Sequence, residues 1–311
     1  MTLPSTDTVA RHPRREAEAL AGISRVLEPS PPAVDDGSWY ADDPFTADDG
    51  DWAHWLREHP EHAGWTARRW LAGCSPLPDP PPTYPATRLA LHRLAVYVLS
   101  PARRRANGKI ALRWTLGGVG TPFFGADEQV RVVGATLVRQ RGGHALAEPL
   151  STLRRAATFA FDGEPDLEWA TSFDVPPAGD LDAPLDVDEE SAGFLGNWYG
   201  FAYSVLEQLR ADGAATTEPD RVQLWPEHFD AAFRRRAGAH AGTFGASPGD
   251  AATPEPYLYV LPEDPHGLPD QLWNATAFRG AVLPLAELAD AHDQRAAAMR
   301  FLRARAGLPG G

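Results

Sequence analysis

Imidazole and carboxylate side chains are concentrated between residues 225 and 260, in three short stretches. These stretches read Trp225-Pro226-Glu227-His228-Phe229-Asp230, Ser247-Pro248-Gly249-Asp250 and Glu255-Pro256-Tyr257-Leu258-Tyr259. An imidazole beside carboxylates can bind zinc, iron or manganese, or can act as a general acid–base pair. We therefore expect a pocket whose candidate catalytic residues are Glu227, His228, Asp230, Asp250 and Glu255.

The backbone that each stretch favours decides where its side chains point. If the first stretch is extended, His228 and Asp230 lie on the same face. Ser-Pro-Gly-Asp is a turn sequence, in which the Asp250 carboxylate either accepts backbone N–H bonds or points at a ligand. Glu255 precedes a proline and is held extended beside a strand. In the structural alternative, Asp230 orients His228 within a turn and Pro248-Gly249 only shapes a loop.

Basic and aromatic residues provide a candidate ligand-binding set. Lys109 and Arg113 fall on the same face of a predicted strand over 109–115, because successive strand residues alternate sides. Together with Trp225 and Tyr257 they could receive an anionic or aromatic small molecule. The alternative role for the two basic residues is a salt bridge.

The three stretches resemble a pattern shared by bacterial proteins known only as a domain of unknown function. That pattern is Trp-Pro-x-His-Phe-Asp, then Ser-Pro-Gly-Asp, then Glu-Pro-Tyr-x-Tyr-Val. Gly108-Lys109-Ile110 and Val282-Leu283-Pro284 are similar to the same group, so the resemblance extends over about 89–302. The resemblance implies a shared fold and a shared site, and it implies no activity.

A metal-dependent reaction is an alternative. His228-x-Asp230 with a distant histidine, such as His292, matches the two-histidine, one-carboxylate triad of non-haem iron oxygenases. However, His292 falls in a stretch predicted to be helical, 286–305, whereas the oxygenase fold places its second histidine on a sheet. The sequence identifies no particular metal or cofactor, so both are unknown from sequence.

Composition narrows the classes of partner. The 311 residues include 29 Lys+Arg and 42 Asp+Glu, a net charge of −13, which argues against nucleic acid or an anionic membrane surface. Cys74 is the only cysteine, so no intrachain disulfide can form. Without an apolar run of ~18 residues or an apolar N-terminal segment, we expect a soluble cytoplasmic protein. A small-molecule ligand is the expected partner, and no protein partner is identified.

Three regions follow from the pattern of prolines, charges and apolar residues. We expect a Pro/Asp-rich N-terminal arm over 1–50, a helical hairpin plus a first α+β half over 51–178, and a second half over 186–311 that carries the candidate site. The tryptophans within 39–70 offer the contact surface of a non-catalytic interaction module, the other alternative function. Residues 176–190, acidic and proline-containing, read as a linker.

Hydrophobic periodicity predicts an α+β fold, with mainly antiparallel sheets flanked by helices. Helices are predicted over 86–100, 191–211 and 285–306, and strands over 109–115, 129–140, 159–161, 168–175, 222–225, 257–260 and 278–283. Each half combines a helix, a strand with a tryptophan (Trp114; Trp225) and a Phe-Gly-Ala triplet (124–126; 244–246). The chain is therefore expected to contain two loosely similar halves.

Overall fold

A computed structural model of the chain describes residues 77–115, 117–125, 128–141, 144–217, 219–236, 238, 240–264, 272–276 and 278–309. The predicted N-terminal arm, the helical hairpin, Cys74 and the tryptophans within 39–70 lie outside the described residues.

The helices and strands of the described residues follow one another in two similar series. The helices are α1 (Tyr84–Leu94), α2 (Ser100–Asn107), α3 (Leu153–Phe161), α4 (Leu167–Ala170), α5 (Glu189–Thr217), α6 (Leu285–Ala289) and α7 (Gln294–Arg305), with a π-helical turn (Ala95–Leu99) between α1 and α2. The strands are β1 (Arg113–Thr115), β2 (Gly118–Gly120), β3 (Glu128–Val133), β4 (Thr136–Arg141), β5 (His144–Pro149), β6 (Gln223–Trp225), β7 (Asp230–Arg235), β8 (Gly242–Ser247), β9 (Tyr257–Pro262) and β10 (Ala281–Pro284).

The strands form two antiparallel five-stranded sheets, in which each strand pairs with its neighbour in sequence. The predicted α+β class with two similar halves is confirmed. The sheets meet where Leu112 and Leu224 exchange two backbone hydrogen bonds, with N···O distances of 2.7 and 2.9 Å. The Phe-Gly-Ala triplets are not equivalent in the two halves, since Phe124 precedes β3 whereas Phe244 lies within β8.

Helix α5 joins the two sheets into one core. It contacts β1, β2 and β3 of the first sheet, β7 and β8 of the second, and helices α1 and α7. Trp198, Tyr199 and Phe201 of α5 are buried in this core. A Cβ atom on Gly196 would lie 2.9 Å from the carbonyl oxygen of Gly117, so glycine permits this close approach to the first sheet.

The first helix runs further than its sequence predicts, because it continues past Pro101. Proline has no N–H group, so it cannot donate to the carbonyl of Tyr97 one turn earlier. The N–H of Asp166 donates to that carbonyl instead, at 3.2 Å. The helical segment ends only at Gly108, whose φ of 77° is the left-handed conformation typical of a helix end.

Several predicted strands are wrong. The stretch 129–140 is a hairpin and not one bulged strand, because Gly134 has a φ of 56° and Val133 pairs with Thr136. Residues 159–161 lie in α3 and residues 168–170 in α4. In both cases a side chain caps the helix: Thr152 Oγ1 accepts from the N–H of residue 155, and Asp166 Oδ1 accepts from that of residue 169.

The predicted C-terminal helix over 285–306 is divided in the structure. It breaks between α6 and α7, where Asp293 Oδ1 accepts a hydrogen bond from the N–H of Ala296 and caps α7. No helix among the described residues is long and apolar enough to cross a membrane.

Candidate functional site

The second sheet has one apolar face and one face that carries most of the candidate residues. The apolar face packs into the core through Leu224, Ala231, Phe233, Phe244, Ala246, Leu258 and Val260. On the opposite face, strand register aligns Gln223, Ala232, Gly245 and Tyr259 in one row, and Trp225, Asp230, Ser247 and Tyr257 in the next. We call this second surface the polar face.

Asp230 is the central charged residue of the polar face. It is buried, and its Oδ2 atom accepts a hydrogen bond from the hydroxyl of Tyr259. Its Oδ1 atom is also buried and has no hydrogen-bond partner among the described residues. Burial, with a smaller contribution from the Glu227 carboxylate, raises the pKa of Asp230 to about 6, against the opposing effects of Tyr259 and His228.

A glycine opposite Tyr259 lets its ring lie across β8. Gly245 pairs with Tyr259, and a Cβ atom there would lie 2.3 Å from the ring carbon Cζ of Tyr259. Real Cβ atoms do not approach so closely, so any larger residue would displace the ring. Gly245 therefore enables Tyr259 on β9 to reach Asp230 on β7.

The turn between β6 and β7 separates two residues that an extended stretch would place on one face. Residues 226–229 form this turn, and Phe229 has a positive φ of 53°. The stretch is therefore not extended, so the condition for a shared face is not met: His228 is exposed while Asp230 is buried. Glu227 is half-buried, and its Oε2 atom has no hydrogen-bond partner among the residues described.

Helices α1 and α5 hold this turn in place. The ring of His92 on α1 stacks on Phe229 with centroids 5.0 Å apart and planes 8° from parallel. The Nε2 atom of His92 lies 3.0 Å from the carbonyl oxygen of Pro226, and the Tyr199 hydroxyl on α5 donates to the carbonyl of Phe229. Burial lowers the pKa of His92 to about 4, so the ring is neutral at pH 7.

Gln223 belongs to the polar face but carries no motif that sequence reasoning could use. Its side chain is 6% exposed, and neither atom of its amide group has a hydrogen-bond partner among the described residues. The Leu112–Leu224 pairing places Arg113 across from Gln223 on the neighbouring strand. Arg113 is itself buried, and only Arg113–Thr115 of the predicted strand over 109–115 form a strand. Its Nη1 atom donates to the carbonyl of Trp114 at 2.8 Å.

Asp250 adopts one of the two roles that its turn sequence allows. Its Oδ1 atom accepts backbone N–H bonds from Ala252 and Thr253, both at 2.7 Å. Asp250 and Ser247 also lie near the Tyr257 hydroxyl. Burial raises the pKa of Tyr257, and the nearby Asp250 and Asp230 carboxylates add to this.

The remaining candidates are less buried than Asp230. Glu255 is exposed, and Trp225 is half-buried beside Asp230 in the strand register. Lys109 precedes β1 and is half-buried, with its backbone N–H 3.0 Å from Asn107 Oδ1. The structure therefore brings Asp230, Glu227, Trp225 and Tyr257 together on or beside the polar face.

The geometry gives a metal centre no support within the described part of the chain. No group of three or more His, Cys, Asp or Glu side chains is arranged there to hold a metal ion. His292 is exposed in the bend between α6 and α7, and not in the helix that its sequence predicts.

Comparison of the chain with known proteins finds no match. No family model matches the chain, and no curated protein or solved structure is significantly similar to it. The resemblance of residues 225–260 to a bacterial domain of unknown function therefore stays a prediction.

Proposed function

We propose that the protein binds a small polar molecule on the polar face of its second sheet, at Asp230. The alternatives of an interaction module and an iron oxygenase gain no specific observation from the described residues. Asp230 is suited to accept a proton from a bound ligand near neutral pH, because burial raises its pKa to about 6. Binding is therefore compatible with catalysis at the same carboxylate.

One observation carries this proposal, namely the buried polar atoms that lack partners around Asp230. They are Asp230 Oδ1, Glu227 Oε2 and both amide atoms of Gln223, none with a hydrogen-bond partner among the described residues. Leaving such a group unsatisfied costs about 1–3 kcal/mol, and native proteins keep few of them. A ligand with hydrogen-bonding groups would satisfy several at once.

The proposal can be tested by ligand-observed NMR with a fragment set containing equal numbers of cationic, neutral and anionic members. The parent protein is compared with Asp230→Asn and with Asp290→Asn, a matched change at an exposed aspartate at the end of α6. We expect fragments that bind the parent and Asp290→Asn but not Asp230→Asn. Equal binding by all three proteins, or no binding by any, would overturn the proposal.

A further inference from the structure

The polar face offers a ligand mainly negative charge and hydrogen-bond acceptors. Asp230 and Glu227 contribute carboxylate oxygens, and neither forms an ion pair with any residue in the described ranges. Of the described basic residues around this surface, His228 is exposed in the turn, Arg113 lies across the strand boundary opposite Gln223, and Arg88 donates to the backbone carbonyls of Asp250 and Pro254. A ligand at the Asp230 end of this surface therefore gains most if it is a cation.

Aromatic rings flank the same carboxylate. Trp225 pairs with Asp230, and the next strands in that row carry Ser247 and then Tyr257. The rings of Tyr257 and Tyr259 are 6.3 Å apart at their centroids and inclined at 57°. Aromatic faces attract ammonium groups through the negative potential above the ring. Carboxylates and rings together are thus suited to a nitrogen cation.

The geometry points to an organic ammonium ion with N–H donors, such as a primary alkylamine, as the ligand of the polar face. This inference rests on the proposed function and specifies the class of molecule bound there. The N–H groups would donate to Asp230 Oδ1 and Glu227 Oε2, while the alkyl part lies against Tyr257. Gln223, with an unpartnered amide oxygen and nitrogen, can accept or donate to a neutral polar group further along the ligand.

The unpartnered oxygens also discriminate between types of ammonium. A quaternary ammonium ion has no N–H group, so it would leave both carboxylate oxygens without a donor. A primary ammonium ion has three N–H donors, enough for two carboxylates and a further acceptor. We therefore expect a primary amine to bind more tightly than a quaternary ammonium ion of similar size.

The test compares four probes by thermal shift and NMR titration at matched ionic strength: n-butylammonium, n-butanol, butyrate and tetramethylammonium. We expect saturable binding of n-butylammonium, at least tenfold tighter than any of the other three. Asp230→Asn should weaken that binding at least tenfold, whereas Asp290→Asn should leave it unchanged. Equal binding of n-butanol or butyrate, or undiminished binding by folded Asp230→Asn, would overturn the inference.

Variants at Tyr257 and Glu227 keep the test decisive if Asp230→Asn fails to fold. Tyr257→Phe retains the ring and should bind n-butylammonium nearly as well as the parent, whereas Tyr257→Leu should bind it several-fold more weakly. Glu227→Gln should also weaken binding, because it removes a charge. Unchanged binding in both Tyr257→Leu and Glu227→Gln would overturn the inference. If neutral or anionic fragments bind at Asp230 while n-butylammonium does not, the ammonium class fails and the proposed function stands.

Discussion

Tyr259 on β9 donates a hydrogen bond to Asp230 on β7, across the intervening strand β8. The bond satisfies one carboxylate oxygen and leaves the other without a described partner. Such an arrangement holds the carboxylate in a fixed position while keeping one oxygen for another donor. The two residues therefore form the most specific feature of the candidate site.

Replacing Asp230 by asparagine should stabilise the protein at neutral pH. The pKa of Asp230 rises from 3.8 to about 6 on folding. Its ionised form is thus penalised in the folded state, and the unfolding free energy falls as pH rises from 4 through 6. The shift corresponds to on the order of 3 kcal/mol. Asp230→Asn should exceed the parent in stability by up to that amount at pH 7.5, and the difference should vanish near pH 4.

Urea unfolding of the two proteins at several pH values would measure this difference. A constant difference between pH 4 and 7.5 would contradict the prediction. Asp290→Asn is the control, and its stability relative to the parent should not follow this pH dependence.

Replacing Gln223 by leucine should not destabilise the protein, although the residue is buried. Both amide atoms lack described hydrogen-bond partners, and replacing unsatisfied polar groups by apolar atoms of similar shape removes a cost of about 1–3 kcal/mol. We expect an unchanged or higher melting temperature together with weaker ligand binding. A large loss of stability would indicate that the amide serves the fold and not a ligand.

Lowering the pH should destabilise the protein through His92, whereas it should stabilise the protein through Asp230. Burial, with smaller contributions from Arg88 and His228, lowers the pKa of His92 from 6.5 to about 4. As the pH falls, His92 therefore takes up a proton at a higher pH in the unfolded chain than in the folded protein. The contribution of His92 to the free energy of unfolding is present above pH 6.5 and is lost as pH falls toward 4. The change is on the order of 3 kcal/mol.

The variant His92→Phe keeps a ring on Phe229 but cannot titrate. Its stability relative to the parent should rise as pH falls from 6.5 to 4, as followed by urea unfolding. If the difference between the two proteins is independent of pH, His92 does not titrate with a lowered pKa.

Replacing Gly245 by alanine should separate Tyr259 from Asp230. The new Cβ atom would lie 2.3 Å from the ring, so the ring must move, and overpacking of this kind costs about 1–3 kcal/mol. A double-mutant cycle with Tyr259→Ala gives the control, because the alanine has no ring to clash with there. An equal cost of Gly245→Ala in both backgrounds would contradict this account.

Some helices and strands of this fold can be predicted from the sequence and others cannot, for physical reasons. The predicted helix over 191–211 coincides with the central part of α5, because its apolar residues recur at helical spacing. The sequence pattern does not predict strands β7 and β8, since both are buried at nearly all positions. The alanines of β7 and the glycines and alanine of β8 give no alternation of polar and apolar residues.

Likewise, only some residues of the candidate site can be predicted from the sequence. Asp230, Trp225 and Tyr257 stood out because they cluster in short distinctive stretches. Strand register then brings those stretches together. His92 could not be linked to them from sequence, because only the packing of α1 places its ring on Phe229. Gln223 lies in no motif, so the sequence alone does not mark it as a candidate site residue.

The mutual backbone pairing of Leu112 and Leu224 bears on how the protein unfolds. Each of these residues satisfies the backbone groups of the other, and α5 packs on strands from both sheets. Without one sheet, the edge strand of the other would lose its backbone partner, and α5 would lose its contacts on that side. The two sheets should therefore unfold together, in a single thermal transition.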